Sequence, residues 1–466
     1  MTHAPDTNDT VGQPVSMGGG HPWPPPPEAR QASRPALYWL AVAMLICSCG
    51  YFAVRGPWRA LRDPIGTNNL LTEPAGAKDL RVYYCASRAW LLGKNPYNQE
   101  DLKEINRQAG GGLGGGVGGQ KNGVDTSLNL PPCLVPLSII GGIPSWHAAR
   151  AVWTALGVLL TVVCLWQLSV LLNLQWSSAW TVMFWAVGLA LAPFHTDIAE
   201  GQLSILVTTL VILALRCQVE KHPKMAGVML GLAVAIKPTM ALLLPAMLLF
   251  RGQWRMFVYV VFTCAILTGL SIGKMHMAGI HWLPNLKENI EAFSRGGRGD
   301  VTGPGSYLMI HLEVVLAGVF GNPKTVHILT AAMVALMGAA GLLAVRGLRD
   351  RQSELLLWGL FALLCLMAFY NRLYSATLLI LPLAWAMRGL TRPALRGVSC
   401  VMLLLILPFL VPGVAALATW FPQLATMPGG DLFLHHQVFL LAFLAIAIGY
   451  AGEKLRKMNS IPSAPI

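Results

Sequence analysis

Residues 36–54 read "ALYWLAVAMLICSCGYFAV", an apolar run without a single charge. A helix crosses the hydrocarbon core of a bilayer with about 20 apolar residues, so this run reads as the first membrane span. The tract ahead of it, residues 1–36, is polar and rich in Pro and Gly, with "GGGHPWPPPPEAR" at 18–30. It has no periodic apolar pattern and reads as a disordered cytoplasmic tail. No apolar core precedes a small-residue cleavage site, so the first span reads as a retained signal anchor rather than a signal peptide.

The same pattern recurs along the chain. Spans are expected at 37–54, 150–172, 178–194, 203–218, 255–273, 326–345, 354–370, 373–388, 397–418 and 434–451. Residues 225–250 are also apolar, but "KPT" at Lys237 divides them into two short halves, which suggests a tight helical hairpin. The expectation is an all-α polytopic domain over 37–452, with about twelve transmembrane helices. Two further apolar segments, "LPPCLVPLSIIGG" (130–142) and "YLMIHLEVVLAGVFG" (307–321), are short or interrupted and read as re-entrant or interfacial helices.

Composition agrees. Of 466 residues 55% are hydrophobic and only 12% charged, against about 25% in soluble domains; mean hydropathy is +0.55. These values exclude a string of soluble domains. The net charge of +13 fits basic loops and attraction to membrane lipids better than nucleic acid, for which no motif is present. Basic residues cluster at Lys221 and Lys224, at Arg251 and Arg255, and at Arg346, Arg349 and Arg351. Further clusters are Arg388, Arg392 and Arg396, then Lys454, Arg456 and Lys457 in a basic tail at 453–466. All fall on one side if the spans alternate, which by the positive-inside rule puts both termini in the cytoplasm of a cell-membrane protein. Arg55, Arg59 and Arg62 after the first span argue the other way, but they open a long loop, and long loops cross with little regard for charge. The nine cysteines form no C-x-x-C pair and no metal spacing; they read as small packing residues, with Cys85 and Cys133 free to pair on the outside.

The outer side then carries two large loops, 55–130 and 274–321. A glycine run inside the first, "GGGLGGGVGG" at 110–119, lacks the preceding strand and following Gly-Lys-Ser/Thr of a phosphate loop and reads as a flexible insertion. Ionisable groups on this side include Asp197, Glu200, Lys237, Lys274, His276, His281, Arg295, Arg298 and Arg372. Charges beside a bilayer mark a site or a partner, or else snorkel singly to the interface. Lys237 and Arg372 are suited to a lipid-linked phosphate, Arg as a fork of donors and Lys as a point charge. With a carboxylate nearby they suit sugar transfer from a polyprenyl phosphate. A glycosidase needs two carboxylates because its leaving group needs a proton; a phosphate leaves as an anion and needs positive charge.

The first loop also holds "DLRVYYCASRAWLLGKNPYN" at 79–98. Its aromatics, with Gly93 and Pro96 as terminators, describe an amphipathic helix lying on the membrane. That description leaves Asp79 without a role. The stretch resembles the signature of glycosyltransferase family 87: an acid, an aromatic pair, small residues, then Gly-x-x-Pro-Tyr. "PPCLVPLSIIG", "EGQLSILVTTL" and "AGVMLGLAVAIKPTMALLLPAMLLFRGQWR" resemble the same family in the same order, and the resemblance extends over most of 37–390. It implies a polyprenol-phosphate-mannose-dependent mannosyltransferase of GT-C architecture, with the catalytic acid in the first outer loop. That acid is Asp79 by position in the motif, with Asp63 in "RDPIG" as the competitor. Gln202 and Lys237 match the family's Gly-Gln and Lys-Pro positions. Related sequences often carry His-Arg-x-Tyr-Asp where this chain has "NRLYS", so Asn371 and Ser375 depart from the pattern while Arg372 and Tyr374 keep it.

The expected activity is inverting transfer of a sugar, mannose above others, from a polyprenyl-phosphate donor to a lipid-linked or glycan acceptor on the outer face. Asp79 is the expected base, and Lys237 and Arg372, with Arg295 and Arg298, the phosphate-binding groups. Tyr83, Tyr84, Glu200, Gln202, Tyr374 and His276 are expected to support the site or line an acceptor pocket. No cofactor is expected, and transfer should be metal-independent, since no carboxylate cluster resembles a Mg²⁺ site. The alternatives are a transporter or flippase for a lipid-linked or anionic substrate, and a non-catalytic subunit of an envelope-assembly complex.

Overall fold

The computed structural model describes residues 35–62, 76–110, 127–175, 178–294, 299–303, 305–411 and 430–460, with residues 417, 421 and 423. Most of the expected 1–36 tail and of the glycine run lies outside these residues, as do Asp63, Arg295 and Arg298.

The described residues are helical, with no strand beyond one antiparallel bridge between Met309 and Arg372. In chain order the helices are α1 (Pro35–Ala53), α2 (Lys78–Leu91), α3 (Gln99–Gln108) and α4 (Pro131–Gly141). Next come α5 (Trp146–Leu171), α6 (Ala179–Ala190), α7 (Ala192–Glu200), α8 (Ser204–Val219), α9 (Pro223–Ile236) and α10 (Pro238–Phe250). The remainder are α11 (Trp254–Met277), α12 (Trp282–Ser294), α13 (Leu312–Phe320), α14 (Pro323–Ala344), α15 (Arg351–Ala368), α16 (Leu373–Gly389), α17 (Pro393–Ile406) and α18 (His436–Ser460). A π turn, Val54–Trp58, prolongs α1 to Leu61. α18 runs on to Ser460, so most of the expected basic tail is helix.

Among the described residues seven helices are long and apolar enough to cross a membrane, or eight if α6 and α7, bent by 42° at Leu191, form one broken span. The protein is thus an all-helical polytopic membrane protein. Four of the expected spans are shorter than a span: α8, α9, α10 and α16. At 1.5 Å per residue, the 16 residues of α8 give roughly 24 Å against a core of about 30 Å. The 130–142 and 307–321 segments form α4 and α13, both too short to cross alone.

The basic clusters gather at one end of the bundle. Arg251 donates to Glu354 Oε1 at 2.6 Å and to Leu348 O at 2.6 Å. Gln218 reaches Glu354 Oε2 at 2.8 Å, Arg392 reaches Gln352 at 2.7 Å, and Arg456 and Lys454 reach the Leu343 and Ala394 carbonyls. α1 starts at this end too, with Ala41 packed on Ala179 and Val182 at the start of α6. The common side expected for these clusters is therefore common in space.

The two halves of the 225–250 segment part company after Lys237. α9 packs against α8 and α11, while α10 packs mainly on α15. Gly227 and Gly231 set the α9–α11 contact: a Cβ at Gly227 would come within 2.5 Å of Met256 O, and one at Gly231 within 2.7 Å of Thr263 Cβ. Small residues four apart allow this close approach between helices in lipid. All nine cysteines are free thiols; Cys85 and Cys133 are buried and unpaired.

The Arg251–Glu354 pair is buried, each side chain 7% exposed. Removing one partner of such a pair strands the other charge, at a cost of about 3–5 kcal/mol. Glu354→Ala should therefore lower the thermal unfolding midpoint of the detergent-purified protein markedly. An unchanged midpoint would show that the pair does not hold the basic end together.

Candidate active site

Helix α2 forms because Leu80, Tyr84 and Cys85 place an apolar stripe along one face. Gly93, at φ +71°, ends it in the left-handed region. The aromatics expected to rest on a membrane surface are instead packed inside the protein. Tyr84 is buried and donates to Ile143 O at 2.9 Å, Trp90 Nε1 donates to Ser271 O at 3.1 Å, and Tyr97 donates to Asn129 O at 2.7 Å. α3 and α4 cover the helix, and Asn289 of α12 ties down the Tyr97 carbonyl at 3.0 Å. α2 is a rigid, buried platform.

Asp79 sits in its first turn, where the helix dipole favours a carboxylate. Gln202 Nε2 donates to Asp79 Oδ2 at 2.5 Å, and Gln202 Oε1 accepts from Tyr83 OH at 2.8 Å. A carboxylate only accepts, so it takes the amide N–H and leaves the amide oxygen for the phenol. Burial, reinforced by Asp79, pushes the Tyr83 phenol well above its ordinary pKa, which keeps it a donor. The meeting depends on Gly201. It ends α7 at φ +71°, and a Cβ there would lie 2.5 Å from Leu80 Cβ and 3.0 Å from Ala77 Cβ. Ala77 N bonds Ala199 O at 3.0 Å, closing the contact between the start of α2 and the end of α7.

Lys237 occupies the break between α9 and α10. Pro238 cannot donate a backbone N–H, so it ends one helix and begins the next. The Lys237 ammonium donates to Ser204 Oγ at 2.8 Å and Ser375 Oγ at 3.1 Å, and lies 4.8 Å from the centre of the Tyr374 ring. Asp79 and Asp197 both act on it electrostatically. Asp197 is buried, 2% exposed, and accepts from Ser204 N at 2.9 Å, at the start of α8. Arg372 bonds Tyr370 and also feels the field of Asp79. Its loop is fixed by Asn371, whose amide donates to the Thr239, Cys365 and Phe369 carbonyls at 3.2 Å each, and by Ile310 N on Asn371 O at 2.9 Å. A crevice between α5, α7 and α8, lined by Trp153, Leu156 and Ile205, reaches Asp197 and Gln202 from the apolar side.

Asp79, Tyr83, Gln202, Lys237, Arg372 and Tyr374 thus share one cluster. Three expected members stand apart. Tyr84 points to the loop before α5, Glu200 pairs with Lys78 at 2.8 Å, and His276 is exposed at the end of α11. There Lys274, not His276, touches α2, over the Trp90 ring at 4.5 Å. Asp197, Ser204, Ser375, Tyr370 and Asn371 were not among the expected site residues. Asp197 was named only among the ionisable groups of this side, and Ser204, Asn371 and Ser375 stood in quoted motifs, but their partners lie on other helices. Among the described residues no group of three His, Cys, Asp or Glu is placed to hold a metal ion.

The family model for glycosyltransferase family 87 matches residues 129–369, just over half of the chain. The chain belongs to glycosyltransferase family 87. It is therefore a glycosyltransferase, and a donor and an acceptor substrate follow from that. The match is narrower than the expected 37–390: it takes in Gln202 and Lys237, begins after α2 and stops just short of Arg372. No curated protein and no solved structure matches the chain.

In this transferase Gln202 is the strut that fixes Asp79. Gln202→Met would leave the carboxylate and the Tyr83 phenol without their shared partner. With Asp79 as the expected base, its misplacement by about 1 Å would cost on the order of 10²-fold in rate; the predicted outcome is a fall in glycosyl transfer by about that factor while the protein stays folded. Wild-type turnover by the variant would remove Gln202 from the site.

Proposed function

We propose that this family 87 glycosyltransferase moves a sugar, mannose in our reading, from a polyprenyl monophosphate to an acceptor hydroxyl at the outer membrane face. The observation that carries the reading is the common field of one accessible carboxylate, Asp79, and two cations, Lys237 and Arg372. Asp79 is half-buried, while Asp197 is enclosed and engaged by the start of α8. We therefore assign Asp79 as the base and Asp197 as a counter-charge that keeps Lys237 in place.

In this reading the acceptor hydroxyl gives its proton to Asp79 as its oxygen bonds to the anomeric carbon. The bond from that carbon to the phosphate oxygen breaks on the opposite side, with inversion. The electron pair leaves with the phosphate, whose growing charge is met by Lys237 and the Arg372 fork. A preorganised cation is worth most where water is scarce, and Lys237 is set among helix ends rather than in bulk solvent. Phosphate departs as an anion, so no second carboxylate is needed to protonate it.

Purified enzyme, a radiolabelled polyprenyl-phosphate mannose and a membrane lipid extract as acceptor source provide the test. Asp79→Asn should cut kcat by about 10²–10⁴ without loss of donor binding. Lys237→Met should lower kcat/KM by about 10²–10³, as removal of a transition-state donor does. Near wild-type transfer by Asp79→Asn would overturn the assignment of the base.

A further inference from the structure

A second group of cations lies beside the first and is not used by the proposed transfer. It is built where α1 passes through its π turn, Val54–Trp58, with Pro57 inside it. Such widened turns occur often at functional sites. The turn is pressed against α7: a Cβ at Gly56 would lie 3.3 Å from His195 Cα. His195 is 1% exposed, and neither ring nitrogen has a hydrogen-bond partner. The Tyr51 ring meets it edge-on with centroids 5.0 Å apart. Arg55 and Arg59 are the charged groups that act on it, and Arg55 Nε is also buried without a partner. Glu200 acts on Arg59 and also pairs with Lys78 at 2.8 Å.

Buried polar groups without partners are rare and costly. Here an imidazole that can donate one N–H lies in the field of an arginine whose buried Nε has no partner, and a second arginine adds charge. An arginine fork and a nearby N–H donor are the recognition elements for phosphate. The depth is informative too. The turn continues an apolar spanning helix directly, and Val54 and Trp58 on it remain about 60% exposed (59% and 60%). A phosphate bound there would sit at the height of a lipid headgroup.

We propose that Arg55 and His195, supported by Arg59, form a binding site for the phosphate of an anionic phospholipid-type molecule. Arg59 O bonds Gly76 N at 3.2 Å, and Ala77 beside it bonds Ala199 O, so the site adjoins the turn that presents Asp79. Resting on the proposed transfer, the site would hold the phosphate of an acceptor built on a phospholipid while its sugar or headgroup hydroxyl reaches Asp79.

The test is binding to the full-length purified protein of three probes: inorganic phosphate, mixed micelles containing phosphatidylglycerol, and the same micelles with diacylglycerol instead. Saturable phosphatidylglycerol binding, weakened at least tenfold by Arg55→Gln and by His195→Asn but not by Lys237→Met, supports the proposal with a lipid source. Equal sensitivity to these variants for inorganic phosphate, with no gain from the lipid, supports the anion site and assigns it to a free phosphate. Binding that ignores Arg55→Gln and His195→Asn, equals that of diacylglycerol, or falls only with Lys237→Met overturns it. Arg55 is only partly buried, so Arg55→Gln keeps the test valid if the His195 variant unfolds. Phosphatidylglycerol binding by Asp79→Asn reads the site independently of transfer, so failure of the catalytic reading and failure of this one are distinguishable.

Discussion

The functional end of this protein is organised around the ammonium of Lys237. A lysine placed among apolar helices must find oxygen partners or give up its charge. Here the partners are Ser204 and Ser375, the first residue of α8 and a residue in the first turn of α16. Lys237 itself is the break between α9 and α10. The four expected spans that fall short, α8, α9, α10 and α16, are thus the ones whose ends converge on this cation. Their shortness is the geometric consequence of building a polar floor inside an apolar bundle, since irregular backbone at membrane depth is tolerated only where protein or a cavity surrounds it.

From that floor the rest follows. Asp197 is locked to the start of α8 and supplies negative charge below, and Gln202 reaches up from the turn after Gly201 to hold Asp79 on α2. Asn371 ties the Arg372 loop to Thr239 at the same helix break. The opposite end of the bundle uses its charges differently, with Arg251 and Glu354 closing a buried pair and the other basic groups bonding to carbonyls and amides. One end is stapled, and the other sets Lys237 in the field of Asp197 and Asp79, and Arg372 in that of Asp79.

Much of this was legible in the chain because lipid imposes a simple grammar. Apolar runs without charge must be helices, and Lys-Pro inside such a run must be a break. Lys237 could be singled out because an ionisable side chain beside the bilayer needs a reason, and Gln202 because its stretch resembles the family's Gly-Gln motif. Tyr84, Trp90 and Tyr97 were misread as surface anchors because periodicity reveals which face of α2 is apolar, not whether lipid or protein covers it. The Asp79–Gln202 contact joins residues 123 positions apart, and it rests on the close approach of Leu80 to Gly201, which no local pattern displays. Asn371 looked like a departure from a motif. Its three carbonyl partners show it to be the residue that fixes the turn in front of Arg372.

The central claim is that one carboxylate and two cations suffice, so that transfer is a single displacement. The measurement that tests it most directly is the anomeric configuration of the transferred sugar, read by NMR of the product and compared with that of the polyprenyl-phosphate donor. Inversion is the result the account predicts. Retention would mean two successive displacements or attack on the face the phosphate leaves, and would contradict it.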